Sequence, residues 1–163
     1  ALRADGGGWE EGAVVTLCHT RLGRNPALAG IKHLNRLEQV MARSEWDDGF
    51  DEGLMADEAG NLIEGTMSNV FLVRDSILHT PDLSRCGVAG VMRAAILDAA
   101  AALGIEVRIG AVALDAIGCF DGLFLCNSLI GLRPVVAVDG RRFEVSPVVA
   151  RLRERLAAEG ELP

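Results

Sequence analysis

The chain has 163 residues, of which 16 are basic, 23 acidic and half hydrophobic, giving a net charge of −7. A domain of this length buries about two-thirds of its unfolded surface, so a sizeable single core is expected. The acidic balance, with no basic run, excludes nucleic acid as an expected partner, and no apolar run approaches the ~20 residues that span a bilayer.

The chain opens on "ALRADGGGWEEGAVVTL", with no Met and a glycine-rich turn leading into a strand. This predicts entry in mid-protein, with a preceding domain absent. Residues 12–22 are rich in β-branched side chains and predict a strand. Residues 23–30 form a loop broken by Pro26 and Gly30. Leu34, Leu37 and Met41, with Val40 beside them, recur at helical spacing and predict an amphipathic helix over 33–45. An antiparallel meander follows: a strand at 52–57, a long strand at 62–73 and a third at 77–80. Residues 81–90 are a loop, and 91–104 a helix closed by Gly104. Strands are predicted around 106–112 and 122–129. A hairpin turning at Asp139-Gly140 comes next, and a last helix covers 147–159. Mixed strands and helices in this order predict an α+β domain, mainly an antiparallel sheet or barrel with flanking helices.

The basic residues comprise fifteen arginines and a single lysine, Lys32. A lone lysine is either a surface residue in an arginine-biased chain or a position that arginine cannot fill. An ε-amine can shed its proton and form a Schiff base, which a guanidinium cannot do. Ile31 and Leu34 flank Lys32, and the predicted helix would set its positive dipole end beside the amine and lower its pKa.

A Schiff-base lysine points to pyridoxal phosphate, which needs a carboxylate at its ring nitrogen and a cradle for its phosphate. Glu64 stands in an otherwise apolar strand. Beside it, Gly65 marks close approach by a ligand or another backbone, and Thr66, Ser68 and Asn69 cluster after it. Gly87 and Gly90 precede a helix whose first N–H groups form an anion site. Asn127 and Ser128 end an apolar strand, either as caps or as donors to phosphate or substrate. His33 and His79 are expected to be structural. Cys18, Cys86, Cys119 and Cys126 contain no C-x-x-C pair. They suit reduced, mostly buried thiols of a cytoplasmic protein, with neither a disulfide frame nor a metal site.

Four segments, "LAGIKHLNRLEQV", "IEGTMSNVFLV", "CGVAGVMRAAIL" and "CNSLIGLRPV", together resemble the 4-amino-4-deoxychorismate lyases. These are pyridoxal-phosphate enzymes of the fold type IV class, which also holds branched-chain and D-amino acid aminotransferases. The resemblance runs over about residues 14–143 and implies a role for single positions. Lys32 would carry the cofactor and shuttle protons, and Glu64 would pair with the pyridine nitrogen. Val91 and Met92 would hold the phosphate through backbone N–H groups. Ser128 would contact the phosphate, with Asn127 lining the same pocket. The implied reaction removes pyruvate from aminodeoxychorismate and leaves 4-aminobenzoate, a folate precursor, in a homodimer.

Two departures stand against the pattern. Arg133 occupies a place expected to be apolar or aromatic. The family's smaller N-terminal domain, which supplies an arginine to the phosphate, has no counterpart, so residues 1–163 correspond to the large cofactor-binding domain. An aminotransferase needs the same cofactor residues and is the alternative enzyme. A truncated domain that binds the cofactor poorly is the non-catalytic alternative.

Overall fold

The structure, a computed structural model, describes residues 12–163. The glycine-rich opening segment lies outside the described residues. Strand β1 spans Ala13–Leu22, followed by helix α1 at Leu37–Arg43. Strands β2 (Glu52–Asp57), β3 (Leu62–Gly65), β4 (Asn69–Arg74) and β5 (Ile77–Pro81) lead to helix α2, Val91–Ala102. Strand β6 (Val107–Gly110) and a short 3-10 helix (Leu114–Cys119) precede β7 (Gly122–Asn127) and β8 (Gly131–Val138). The two-residue strand β9 (Arg141–Arg142) and helix α3 (Pro147–Glu159) are the last elements described.

All strands join one mixed sheet in the order β3-β2-β1-β8-β7-β4-β5-β6, with β9 paired to β8. The pairs β2/β3, β4/β5, β4/β7, β7/β8 and β8/β9 are antiparallel. Parallel pairing joins β1/β2, β1/β8 and β5/β6. The two ends of the sheet approach each other. Leu62 N–H donates to Val112 O at 2.8 Å and Leu114 N–H to Gly60 O at 2.9 Å, so the sheet curls into a half-barrel. The α+β class holds.

Side-chain alternation along the strands divides the core. Val70, Leu72, Leu123 and Leu125 join Val15, Leu54 and Leu62 in one cluster. Their neighbours Phe71, Val73, Phe124 and Cys126 face α2 and α3 in another, meeting Ile96, Ala100, Leu152 and Leu156. Phe71 and Phe124, register partners on β4 and β7, stack at 5.0 Å. A third cluster (Cys18, Leu22, Ala42, Met55, Ile63, Leu83 and Cys86) lies under α1. Burial in these clusters pushes the thiols of Cys18 and Cys126 up to about 12 and that of Cys86 to about 11. The fourth cysteine, Cys119, is exposed.

The local signals that held are those with a backbone cause. Asp139 and Gly140 both take positive φ (44° and 81°), as a two-residue hairpin turn requires. Helix α3 begins after Ser146, whose hydroxyl accepts from Val148 N–H at 3.3 Å, with Pro147 at its first position.

Three expectations fail. The strand predicted over 62–73 is two strands, because residues 66–68 turn and send β3 and β4 to different parts of the sheet. The helix predicted over 33–45 begins only at Leu37, five residues after Lys32, and ends at Arg43. Its apolar stripe also faces outward. Leu34 is 100% exposed and Leu37, Val40 and Met41 are more than half exposed, whereas Gln39 and Ala42 are buried. Among the described residues, no helix is long and apolar enough to cross a membrane.

Candidate active site

Glu64 sits on β3 with 2% of its surface exposed. Its Oε2 accepts the backbone N–H of Val88 at 2.7 Å. Its Oε1 lies 3.5 Å from Gln39 Nε2 and 3.8 Å from Arg36 Nη1. Burial dominates the carboxyl and pushes its pKa up to about 7; the Val88 N–H and the Arg36 charge pull the other way without winning. A buried carboxylate of this kind is poised for a cationic partner.

The loop that carries Lys32 is tied to the same place. Gly30 N–H donates to Gly87 O at 2.9 Å and Ala89 N–H donates to Gly30 O at 3.0 Å, a short parallel bridge. Val88, held by Glu64, lies between those two contacts. Lys32 follows two residues after the bridge on an irregular, exposed segment. Among the described residues no hydrogen bond or ion pair engages its amine. Gly87 takes a φ of +86°, and a Cβ there would come within 2.7 Å of Ile63 and 3.2 Å of Glu64 Oε2. Only glycine lets this loop pass so close to the carboxylate.

The same loop runs into α2. Asn69, on β4, donates from Nδ2 to Val88 O at 2.7 Å and accepts Gly90 N–H at Oδ1 at 3.1 Å. Gly90 ends the loop, and a Cβ on it would collide with Asn69 Oδ1. Among the described residues no side chain caps α2, so its first N–H groups, beginning at Val91 and Met92, are presented without a side-chain acceptor. The Val91 side chain is exposed and that of Met92 is buried.

The turn after Glu64 adds a third wall. Arg36 Nη2 donates to Thr66 O at 3.0 Å, and Asn127 Nδ2 donates to Met67 O at 3.1 Å. Asn127 Oδ1 also accepts Leu129 and Ile130 N–H at 2.8 and 2.9 Å, which shapes the β7–β8 turn. Ser128 is exposed on that turn. Gly65 is closely approached by side chains: a Cβ would collide with Ser68 Oγ and reach within 3.0 Å of Glu52 Oε2. Arg133, where an apolar or aromatic residue is expected, is engaged elsewhere, by neighbours of its own strand. Its guanidinium donates to Gly12 O at 2.8 and 3.2 Å and pairs with Asp51 at 3.1 Å.

The four sequence blocks therefore converge through named bonds, with Lys32, Glu64 and the α2 start linked by the 87–90 loop. Asn127 joins by way of the 66–68 turn. Arg36, Gln39 and Glu52 are polar participants that sequence reading overlooked. For Glu52 the signal was available, since it opens the apolar run "EGLMAD" as Glu64 interrupts its own strand. A cavity of about 230 Å³ adjoins the site, lined by Arg24, His33, Arg36, Gln39, Gly87 and Val88 among others. It reaches neither Lys32 nor Val91, and lies on the α1 side of the 87–88 loop.

The chain matches the family described as amino-transferase class IV over residues 4–138. It is 37% identical over 150 residues to the aminodeoxychorismate lyase of Vibrio harveyi, covering 91% of this chain and 55% of that protein. The crystal structure of 4-amino-4-deoxychorismate lyase from Pseudomonas aeruginosa superposes with a TM-score of 0.90 at 45% identity, covering 94% of this chain and 57% of that one. The branched-chain amino acid aminotransferase of T.th. complexed with N-(5'-phosphopyridoxyl)-L-glutamate superposes at 0.80 with 28% identity, over 93% of this chain and 54% of that one. The chain thus spans little more than half the length of these relatives. With the lysine loop, the buried carboxylate and the glycine-led helix in one place, and the family match covering most of its residues, the chain belongs to the class IV amino-transferases.

Proposed function

We propose that this domain binds pyridoxal phosphate and serves a lyase that removes pyruvate from 4-amino-4-deoxychorismate, leaving 4-aminobenzoate. The observation that carries the reading is the Val88 contact. One backbone segment accepts the Lys32 loop, donates to Glu64 and leads into the open end of α2.

The residues fit the cofactor. Glu64 is a desolvated carboxylate that gains a counter-charge from a protonated ring nitrogen. The N–H groups at Val91 and Met92 suit a phosphate. Ser128 and Asn127 stand on a turn fastened to the Glu64 side through Met67. Bound pyridoxal phosphate supplies the electron sink for breaking a bond at the carbon that bears the substrate nitrogen. Lys32 Nζ would hold the cofactor in the resting protein and would serve as the base for the proton on that carbon. Glu64 would keep the ring nitrogen protonated, so that the C–O bond to the departing three-carbon unit can break. Loss of that unit leaves an aromatic ring, which makes the step effectively irreversible.

A branched-chain aminotransferase is the second reading, favoured by the likeness to the T.th. enzyme. The lyase reading has the higher identity and the closer superposition. A homodimer is part of the proposal, supported by the outward apolar stripe of α1.

Borohydride reduction after adding pyridoxal phosphate, followed by peptide mapping, is expected to label Lys32, and Lys32→Arg is expected to lose that label. A label persisting in the variant, other than on the α-amine, overturns the reading. Product analysis separates the two enzymes, because the lyase releases pyruvate with 4-aminobenzoate whereas an aminotransferase exchanges amino and keto acids.

A further inference from the structure

The 66–68 turn decides where two of the site's polar groups point, and a third carboxylate holds that turn. Glu52 opens β2 with only 5% of its surface exposed. Its Oε1 accepts Thr66 N–H at 3.1 Å, the Thr66 hydroxyl at 2.5 Å and Gly53 N–H at 2.9 Å. Its Oε2 accepts Met67 N–H at 3.1 Å and the Ser68 hydroxyl at 3.0 Å. Five donors thus meet one side chain, and four of them come from three consecutive residues. The outward side of the same turn offers Thr66 O to Arg36 and Met67 O to Asn127. Arg36 in turn lies 3.8 Å from Glu64. Gly65 is the companion requirement, since any Cβ there would crowd Glu52 and Ser68.

We infer that Glu52 is a positioning residue for the site: its carboxylate fixes the Thr66–Ser68 turn so that the turn's carbonyls hold Arg36 against Glu64 and Asn127 against the Glu64 side. The functional consequence rests on the cofactor reading above; the grip on the turn does not.

Glu52→Gln is the discriminating change. It keeps shape, but a carboxamide must aim its NH₂ at a site now filled by a donor. On the Oε1 side that means two backbone N–H groups. On the Oε2 side it means only Met67 N–H, together with a hydroxyl that can turn to accept. The carboxamide therefore settles with its nitrogen toward Met67, and the Met67–Asn127 contact loosens first. The Met67 N–H, part-buried in the wild type, is then left without its carboxylate acceptor.

The test uses the native protein, with hydrogen exchange read on the peptide spanning 65–69 and pyridoxal phosphate affinity measured by titration well below the melting temperature. The expected result for Glu52→Gln is exchange of the Met67 amide at least about tenfold faster, the Thr66 amide changing less because it keeps the carboxamide oxygen and Gly53 O as acceptors, and cofactor affinity about tenfold weaker, with circular dichroism unchanged. Ser68→Ala, which removes one donor and leaves the carboxylate, is expected to move both readouts the same way by less. If Glu52→Gln does not fold, Ser68→Ala and Thr66→Val carry the same two readouts. A lowered melting temperature with unchanged cofactor affinity overturns the positioning role, as does unchanged exchange in the turn. If the wild-type protein binds no pyridoxal phosphate the cofactor reading falls, and the exchange measurement alone then decides whether Glu52 holds the turn.

Discussion

Glu64 carries the largest electrostatic strain in the site, and the sign of its effect is testable. Burial lifts its carboxyl from 4.5 to about 7. Below about pH 4.5 the group is protonated in both folded and unfolded chains and adds no pH dependence. As pH rises from there to about 7, the unfolded chain ionises first, so the cofactor-free fold loses stability through that window. A shift of this size corresponds to about 3 kcal/mol. Urea unfolding of the cofactor-free protein, compared with Glu64→Gln at each pH, is expected to show the wild type falling relative to the variant between about pH 4.5 and 7. Parallel curves would mean that the carboxyl is relieved by groups other than Arg36 and Val88. If the proposed cofactor sets a cationic ring nitrogen beside Glu64, the penalty reverses and added pyridoxal phosphate is expected to flatten the difference.

At the scale of elements, α2 depends on a clamp from another strand. Asn69 holds Val88 O with its amide and Gly90 N–H with its carbonyl, fixing the loop on the residues where the helix begins. Asn69→Ala removes both contacts at a buried position and is expected to cost about 1–3 kcal/mol. It is also expected to weaken binding of pyridoxal phosphate, because the N–H groups of Val91 and Met92 lose their fixed direction. Asn69→Asp keeps the acceptor for Gly90 but turns a buried carboxylate oxygen on Val88 O, and is expected to bind pyridoxal phosphate no better than the alanine variant. Thermal melts paired with cofactor titration separate the effects, and lost stability with undiminished affinity would confine Asn69 to the fold.

This clamp also shows how far sequence could be followed. Glycines before a helix and a carboxylate in an apolar strand were legible, because each breaks a local rule within a few residues. The break between β3 and β4 was not, since "EGTMSN" keeps enough strand character and its cause is Glu52, twelve residues before Glu64. Helix α1 was misjudged for the converse reason. Its periodicity is real, but the stripe at Leu34, Leu37, Val40 and Met41 faces outward, and the residues that pack inward are Gln39 and Ala42. Periodicity reports that a face is apolar and does not say what covers it.

That outward stripe is the feature of the whole molecule that a closed domain does not explain. The sheet satisfies its own ends, since the β3 side meets the segment after β6 through Leu62–Val112 and Leu114–Gly60 contacts. The three core clusters account for the strand faces and for α2 and α3. Ile31, Leu34, Leu37, Val40 and Met41 are exposed among the described residues, grouped on one short helix and its lead-in beside the lysine loop. Clustered exposed apolar side chains mark an interaction surface more often than scattered ones do. A protein with a net charge of −7 resists indiscriminate association, so a specific apolar contact is the way such a surface is covered. If that contact joins two copies, Leu37→Lys combined with Val40→Lys is expected to convert the dimer to monomer in sedimentation velocity. The far-UV circular dichroism should stay unchanged, because neither side chain belongs to a core cluster. A sedimentation coefficient unmoved by the double change would exclude this helix as the self-association surface, even if the protein is dimeric. Lys32 lies between Ile31 and Leu34, so the same experiment reads on the site: loss of pairing is expected to weaken retention of pyridoxal phosphate by freeing the loop that carries the amine.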